Sequence, residues 1–260
     1  MPEGIEVEYY KQTALQALNR KIKSIEIIDH KYLQRACSPA ELRDLLIGNC
    51  FIKAERKGKL LVLSISNNYK LGLRFGMTGR LLVDGSSAIK VLGYSSSSDN
   101  PKWDRFYIKF QDGGALSIRD PRRLGAVQIN PNLATLGIDL YEITALSLSE
   151  VLNHSARPIK ARLMDQSKIA GLGNLLTDEI LWRSSIDPRR QSNGLSRNDK
   201  RRLFRHTTQT ISELTDLGGS HMGNLQNHRV PEGLCPKDGV PLIRYNIGGR
   251  TTYSCPKHQK

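Results

Sequence analysis

Behind Met1-Pro2-Glu3, the apolar positions Val7, Tyr10, Ala14 and Leu18 recur at helical spacing. They predict a first helix of about four turns that ends near Asn19. Ile22 to Ile28 reads as a strand. Ser38-Pro39-Ala40-Glu41 is a capping box with Pro at the first helical position. It predicts a short helix from Glu41 to Ile47, stopped by Gly48. Short apolar or alternating runs follow: Phe51–Arg56, Lys59–Ser66, Lys70–Phe75, Arg80–Val83, Arg105–Phe110, Ala115–Ile118 and Gly125–Ile129. Asn67-Asn68, Asp84-Gly85 and Asp112-Gly113-Gly114 punctuate them as turns. Strands at this spacing predict an antiparallel sandwich or barrel. The Ser-rich stretch from Gly93 to Pro101 reads as a mobile loop.

The pattern changes at Asn130-Pro131-Asn132, the expected linker, after which strand alternation disappears. Ser147-Leu148-Ser149-Glu150 is expected to cap a helix that ends near His154. Pro158 to Asp165 and Gly173 to Arg183 predict two more helices. Ser196-Arg197-Asn198-Asp199 caps a longer one running to Leu217, with Leu203, Thr207, Ile211 and Leu214 on its inner face. Gly218-Gly219 ends it, and the residues between Cys235 and Cys255 read as a β-hairpin. The fold class is therefore α+β: an N-terminal antiparallel β-sandwich with flanking helices, then a helical domain and a zinc-ribbon-type hairpin. The expected domains are 1–130, 134–217 and 226–260.

Charge narrows the partner. Lys and Arg outnumber Asp and Glu by 39 to 25, a net charge of +14, with a pI of about 9.8. A chain this basic points to a polyanion, most often nucleic acid. A solubilising surface charge, a ribosomal protein or a membrane-surface protein are the other readings. No apolar run approaches the ~18 residues of a membrane span, and Glu3, Glu6 and Glu8 sit where a signal peptide would be apolar. The expectation is a monomer without a membrane partner, cytoplasmic and associated with a bacterial nucleoid. Cys37 and Cys50 are expected to pack rather than form a disulfide in such a compartment.

Four stretches carry candidate chemistry. With Met1 removed, Pro2 offers a secondary amine one residue from a carboxylate, a pair suited to Schiff-base formation and proton transfer. The ordinary alternative is a frayed terminus. Cys235-Pro-Lys-Asp238 and Cys255-Pro-Lys-His258 stand at zinc-ribbon spacing, with thiolate, carboxylate and imidazole all competent Zn²⁺ ligands. A hairpin that keeps its shape without metal is the other possibility. Arg250 near the hairpin turn can meet a phosphate or stand in solvent. Gly171-Leu172-Gly173-Asn174 precedes a helix whose free N–H groups, with the Asn174 amide, suit a phosphate. It also reads as a plain interhelix turn. Finally, Gly76-Met77-Thr78-Gly79 and Asp120-Pro-Arg-Arg-Leu-Gly125 place Met77, Arg122 and Leu124 on turns between strands. Such apolar wedges with an Arg can fill the hole left by a displaced base; buried loop side chains are the alternative.

Taken in order, these motifs resemble the formamidopyrimidine-DNA glycosylase/endonuclease VIII family across nearly the whole chain. The matching residues are Pro2-Glu3 with Glu6, Gly58-Lys59-Leu60-Leu61, Gly76–Gly79, Asp120–Gly125, Gly171–Glu179 and the C-terminal hairpin. The resemblance implies a β-sandwich, a helix–two-turn–helix domain and a hairpin that binds one structural Zn²⁺ through Cys235, Asp238, Cys255 and His258. It implies a base-excision-repair glycosylase/AP lyase acting on damaged double-stranded DNA. In that role Pro2 is the nucleophile, Glu3 the proton donor to the sugar ring oxygen, and Lys59 a strand lysine that assists proton transfer. Met77, Arg122 and Leu124 fill the vacated stack, and Asn174, Lys59 and Arg250 hold phosphates. Glu6 and Glu179 support the site, or serve as capping or surface charges.

The sequence departs from the purine-specific branch at Leu124, where that branch has Phe, and at Arg74, where it often has His. Glu3-Gly4 resembles the endonuclease VIII branch, and Gly218 to Cys235 is short for a loop that covers a flipped purine. Two other classes remain beside the enzyme. One is a damage- or abasic-site-binding protein of the same fold without base excision; the other is a zinc-ribbon RNA-associated protein.

Overall fold

In a computed structural model of the chain, described for residues 2–33, 38–89, 92 and 100–260, the residues form two compact units. These are Met1–Leu133 and Ala134–Lys260. Cys37 and most of the Ser-rich loop lie outside the described residues.

The first unit holds helix α1 (Gly4–Leu15) and strands β1 (Ile22–Ile28), β2 (Phe51–Lys57), β3 (Leu60–Ile65) and β4 (Lys70–Arg74). It continues with β5 (Arg80–Val83), β6 (Asp104–Phe110), β7 (Ala115–Arg119) and β8 (Ala126–Ile129), with α2 (Pro39–Leu46) inserted after β1. Two four-stranded antiparallel sheets result, in the orders β1-β6-β7-β5 and β2-β3-β4-β8. The expected strand runs are all present, shifted by a residue or two at their ends. In β6, Asp104, Phe106, Ile108 and Phe110 alternate inward, the period-2 pattern of a half-buried strand. The inward residues of both sheets join one core that includes Leu61, Leu63, Leu71, Leu73, Leu81, Val83, Phe106, Ile108, Leu116 and Ile118.

Helix α1 is shorter than its apolar spacing predicts. It ends at Leu15, and Leu18 instead bridges to Phe51 while Asn19 takes a positive φ of 60°. The chain leaves the helix early because Asn19 N–H is already bound to the Phe51 carbonyl at 2.7 Å. The helix touches β2 and β3 of one sheet and β5 of the other. Gly4, Ile5, Glu6, Val7, Tyr10, Thr13 and Ala14 are therefore all buried. The capping box at Ser38 is formed, with Glu41 N–H on the Ser38 hydroxyl at 3.1 Å and Ser38 N–H on the Glu41 carboxylate at 2.7 Å.

The expected linker is tied to the first unit: Asn130 and Lys70 exchange backbone and side-chain hydrogen bonds at 2.8 and 2.9 Å. Beyond it, two-residue strands β9 (Ile138–Asp139) and β10 (Ile169–Ala170) pair in parallel. That pair is too short to leave an alternating signature. Helices α3 (Ala145–Asn153), α4 (Ile159–Leu163), α5 (Asn174–Arg183) and α6 (Arg197–Asp216) build the rest, with the antiparallel hairpin β11 (Ile243–Ile247) and β12 (Arg250–Ser254). One helix start is corrected. Thr144, not Ser147, caps α3, and Ser147 sits at the third helical position with its N–H on Thr144 Oγ1 at 3.1 Å. Two capping sequences overlap here and the chain uses the earlier one, with Leu148 and Leu152 of α3 buried on one face. On α6, Leu203, Thr207, Ile211 and Leu214 are buried as expected. Among the described residues no helix is long and apolar enough to cross a membrane.

Candidate active site and metal centre

Pro2 is buried at the root of α1, followed by Glu3 in extended conformation. Glu3 is fully buried and Glu6 is 1% exposed. Glu6 accepts the Glu3 backbone N–H at 2.8 Å, which satisfies one of the orphan donors of a helix start. Glu6 is thus not a surface charge but a buried cap that fixes Glu3, three residues earlier. Pro2 is not a frayed end, because the helix it leads into is packed on both sheets. Met1 lies outside the described residues.

Lys59 does not lie within a strand, as the resemblance implied. It occupies the tight turn between β2 and β3, with Gly58 at a φ of +57°. A feature missed in the sequence holds that turn. Arg56 donates to the Gly58 carbonyl at 3.0 Å and to Glu8 Oε2 at 2.9 Å. The turn carrying Lys59 is thereby tied to the same helix that Pro2 begins. Glu8 is held below the ordinary carboxylate range by its bonds to Lys11 and Arg56, against the opposing effect of its burial.

The two wedge turns are joined by one carboxylate. Asp120 is fully buried and accepts from Tyr32 Oη at 2.5 Å, from the Thr78 hydroxyl, and from the backbone N–H groups of Arg122, Leu124 and Gly125 at 3.2, 2.8 and 2.9 Å. Thr78 belongs to the Met77 turn and the three amides belong to the Arg122–Leu124 turn. The backbones also meet: a Cβ on Gly76 would stand 2.5 Å from the Leu124 carbonyl, so only glycine permits this approach. Tyr10 of α1 adds a bond from its hydroxyl to the Gly79 carbonyl at 3.1 Å. Burial, with the nearby Glu6 charge, pushes the Tyr10 phenol well above its usual value. Burial and the Asp120 charge do the same for Tyr32. On this frame Leu124 stands 49% exposed, Arg122 is exposed and Met77 half-buried. The reading of Leu124 as a buried loop residue is excluded. An Asp opening a turn is a known backbone acceptor, so the hub was findable in part; Tyr32 and Thr78 were not. Arg74 is half-buried, and burial lowers the pKa of its guanidinium.

In the second unit, Gly173 caps α5 and Asn174 is its first residue. Asn174 Oδ1 is buried without a hydrogen-bond partner, so the carboxamide keeps an open position beside the helix N-terminus. Arg250 opens β12 and is exposed. Glu179 is buried and accepts from Arg183 at 2.7 Å and from the backbone N–H groups of Asn224 and Leu225 at 3.1 and 2.9 Å. It pins the segment after α6, which turns twice in short 3₁₀ helices at Ser220–Met222 and Gln226–His228. Like Glu6, it is a buried cap rather than a surface charge. A buried ion network went unseen in the sequence. Lys160 meets Asp178 Oδ1 at 2.7 Å, Thr252 Oγ1 at 2.7 Å and the Thr251 carbonyl at 3.2 Å. Arg229 pairs with the same Asp178. The network couples α4 and α5 to strand β12, the strand that Arg250 begins.

Cys235, Asp238, Cys255 and His258 each offer one ligand atom, all within 4.8 Å of one another. Cys235 Sγ stands 3.6 Å from Asp238 Oδ2 and 3.9 Å from His258 Nδ1, and Cys255 Sγ stands 3.2 Å from Asp238 Oδ2. A tetrahedral zinc with bonds of roughly 2.0–2.3 Å needs ligand separations of about 3.3–3.8 Å. His258 Nε2 faces the Trp182 carbonyl at 3.1 Å, which fixes a proton on Nε2 and makes Nδ1, now in contact with Asp238 Oδ2, the ring's ligand atom. Trp182 Nε1 donates to Cys235 Sγ at 3.3 Å. The donor set and its outer partners therefore fit a metal ion. Bonds from Cys255 and His258 bring the Asp238 carboxyl down to about 2, and burial pushes the Cys255 thiol up to about 11.

The sequence model of the formamidopyrimidine-DNA glycosylase N-terminal domain matches residues 1–127, and that of the formamidopyrimidine-DNA glycosylase H2TH domain matches residues 137–225. A formamidopyrimidine-DNA glycosylase of Arabidopsis thaliana is 30% identical over 278 residues, covering 100% of this chain and 71% of the relative. One from Pelotomaculum thermopropionicum is 29% identical, covering 100% and 99%. The chain belongs to the formamidopyrimidine-DNA glycosylase family. In fold it is similar to Lactococcus lactis Fpg solved with DNA containing an abasic site, with a TM-score of 0.83, 23% identity and 99% of each chain covered. It is equally similar to the same protein solved with DNA containing an oxidised pyrimidine, with a TM-score of 0.84, 24% identity and 100% of each chain covered.

Proposed function

We propose that this chain is a bifunctional DNA glycosylase/AP lyase of base-excision repair that acts through Pro2. The observation that carries the reading is the buried Pro2-Glu3 start, tied through α1, Glu8 and Arg56 to the turn bearing Lys59. With Met1 removed, the Pro2 nitrogen attacks C1′ of the damaged nucleotide. The bond from C1′ to the base breaks, and the base leaves with the bonding electron pair and takes up the proton that the Pro2 nitrogen sheds, which restores the nitrogen lone pair. Glu3 gives a proton to the sugar ring oxygen, the ring opens, and the nitrogen lone pair forms an iminium with C1′. Loss of a C2′ proton then expels the 3′ phosphate, and a second elimination releases the 5′ phosphate. Lys59 contacts phosphate or base and assists these proton transfers.

Met77, Arg122 and Leu124 occupy the space that the extruded nucleotide leaves. Asn174 and Arg250 hold backbone phosphates. Cys235, Asp238, Cys255 and His258 hold one Zn²⁺, whose contribution is structural: it fixes the hairpin that carries Arg250. Leu124, small beside an aromatic ring, cannot stack on the opposite base. It therefore favours a broad lesion range, oxidised pyrimidines included, over strict purine specificity.

Borohydride reduction of wild-type protein mixed with abasic-site DNA tests the reading. A covalent adduct is expected from the trimmed chain and none from Pro2→Gly. A chain that keeps Met1 is expected to bind DNA without trapping, since an acylated Pro nitrogen cannot attack. No adduct from a trimmed wild type would instead favour a lesion-binding protein without base excision.

A further inference from the structure

The phosphate ligands of the proposed reaction account for little of a net charge of +14. Much of the remainder gathers at one place in the second unit. Arg197, Lys200, Arg201 and Arg205 lie at helical spacings of three, four and eight along the first turns of α6, so they share one face. Arg197, Arg201 and Arg205 are exposed and Lys200 is half-buried. The nearest acidic residue in sequence, Asp199, is already engaged by Arg190, Arg202 and the Ser196 hydroxyl. Among the described residues, no carboxylate forms an ion pair with any of the four. Their polar contacts are neutral ones: Lys200 with Asn153, Arg201 with Asn198, and Arg205 with His206.

The face is concave. A cleft of about 290 Å³ is lined by Ala145, Ser149, Arg197, Lys200, Arg201 and Phe204. A neighbouring one of about 270 Å³ is lined by Asn198, Arg201, Arg202 and Arg205. Arg201 borders both. The face also stands apart from the phosphate-binding end of α5. Arg202 donates to the carbonyl of Ser184 at 2.6 Å, and Ser184 closes the C-terminal end of α5. Asn174 lies at the other end of that ten-residue helix, about 15 Å away at 1.5 Å per residue.

We propose that this face of α6 is a second nucleic-acid contact, which takes the sugar–phosphate backbone of duplex DNA without reading its sequence. Its chemistry suits a row of anions rather than one. Arg197, Arg201 and Arg205 succeed one another every four residues, about 6 Å along the helix axis, and two clefts share the central guanidinium. Guanidinium forks bind phosphate oxygens in pairs, and Phe204 gives the long aliphatic stems an apolar floor. Cations spaced along one helix face meet phosphates whatever the base sequence, so the contact serves affinity and movement along DNA, not lesion choice. The proposal rests on the reading above only in that the chain binds DNA.

The test uses the full chain carrying Arg197→Ala, Lys200→Ala, Arg201→Ala and Arg205→Ala together. Binding to a long undamaged duplex is followed by anisotropy across a salt series. Each lost phosphate contact removes about 0.9 from the slope of log affinity against log salt. The variant is expected to lose roughly 2–4 from that slope and at least tenfold in low-salt affinity. Cleavage of a short abasic duplex at saturating enzyme stays within twofold of wild type. Lysine at all three arginine positions, with Lys200 kept, should restore the slope. A slope unchanged from wild type overturns the proposal, and leaves the face as a solvated surface or a seat for an acidic peptide. So does an equal loss from the charge-matched control Lys21→Ala, Lys23→Ala, Lys31→Ala and Lys70→Ala in the first unit. Failure of wild type to cleave abasic DNA, with the slope change intact, would sink the enzymatic reading and leave this one standing.

Discussion

The two units hold their candidate functional segments by different means. In the sandwich, the Pro2 helix start, the Lys59 turn and the wedge turns are built on one continuous apolar core. The two wedge turns are fixed by a single buried carboxylate, Asp120, that accepts from both loops and a tyrosine. In the second unit, the hairpin packs through a much smaller cluster of Trp182, Leu225, Cys235, Leu242, Tyr253 and Cys255, two of them metal-ligand candidates. There the Lys160–Asp178–Arg229 network and a ligand cluster that could hold a metal ion stand where the sandwich has apolar burial. A small hairpin exposes most of its surface, so it cannot bury enough apolar area to order itself. Buried ion pairs contribute instead, and a bound metal would add ligand bonds whose loss should be felt by the hairpin and not by the sandwich.

That contrast can be broken or sharpened in order of expected effect. Glu3→Gln removes the proposed proton donor from the helix start, and ring opening, with the strand cleavage that follows it, should slow by roughly 10²–10⁴-fold. Single-turnover cleavage of a lesion duplex measures it, and a rate near wild type would remove Glu3 from the chemistry. Cys255→Ser, or chelation of wild type, should take zinc from about one per chain to none and weaken DNA binding roughly 10–100-fold. The two tryptophans separate the units: Trp103 lies in the first and Trp182 in the second. A Trp103-only chain should then keep its folded fluorescence when metal is lost. Loss of the Trp103 signal would mean that the sandwich depends on the hairpin.

The buried carboxylates come next. Asp178→Ala strands Lys160 and Arg229 without a counter-charge, a cost of about 3–5 kcal/mol, and should appear in the unfolding of a Trp182-only chain. Asp120→Ala should cost about 3 kcal/mol in the first unit, and the freed wedge turns should lose the fluorescence change of a 2-aminopurine placed opposite the lesion. Acid should act more gently. Hydrogen bonds from Arg123 hold the Asp29 carboxyl below its usual value. A depressed folded pKa gives stability that is present above the unfolded value near 3.9 and lost as pH falls through the folded one. The docking of the Arg123 turn should therefore be constant from neutrality to about pH 4 and weaken below it, as proton titration of Asp29 by NMR would report. Smallest of all, Leu124→Ala removes an exposed side chain and should leave stability within about 0.5 kcal/mol. Lesion discrimination should fall nonetheless. Unchanged discrimination would take Leu124 out of the wedge.

Much of this was legible from residue order alone. Short apolar or alternating runs between turn residues marked the sandwich strands: β6 alternates because one face meets the core, while β3 reads as a continuous apolar run because it is buried on both faces. The Cys-Pro-Lys-Asp and Cys-Pro-Lys-His knuckles marked the Cys/Asp/Cys/His cluster, because ligand spacing is a local property of the chain. The Pro-Glu start and the Gly-Leu-Gly-Asn turn were visible for the same reason. The early end of α1 was hidden, since a bond to Phe51, far along the chain, decides it. So were the parallel pair β9–β10, the Arg56–Glu8 tie and the Asp178 network, whose members stand tens of residues apart. What the sequence by itself determined was which side chains are available and which short elements carry them, since periodicity, caps and ligand spacing act over a few residues. Only the tertiary structure decided that Asp120 governs both wedge turns, that Glu6 and Glu179 are buried caps, and that Lys59 sits on a turn anchored to α1. Those outcomes depend on which distant polar groups must satisfy one another once water is excluded, and no local pattern encodes that pairing.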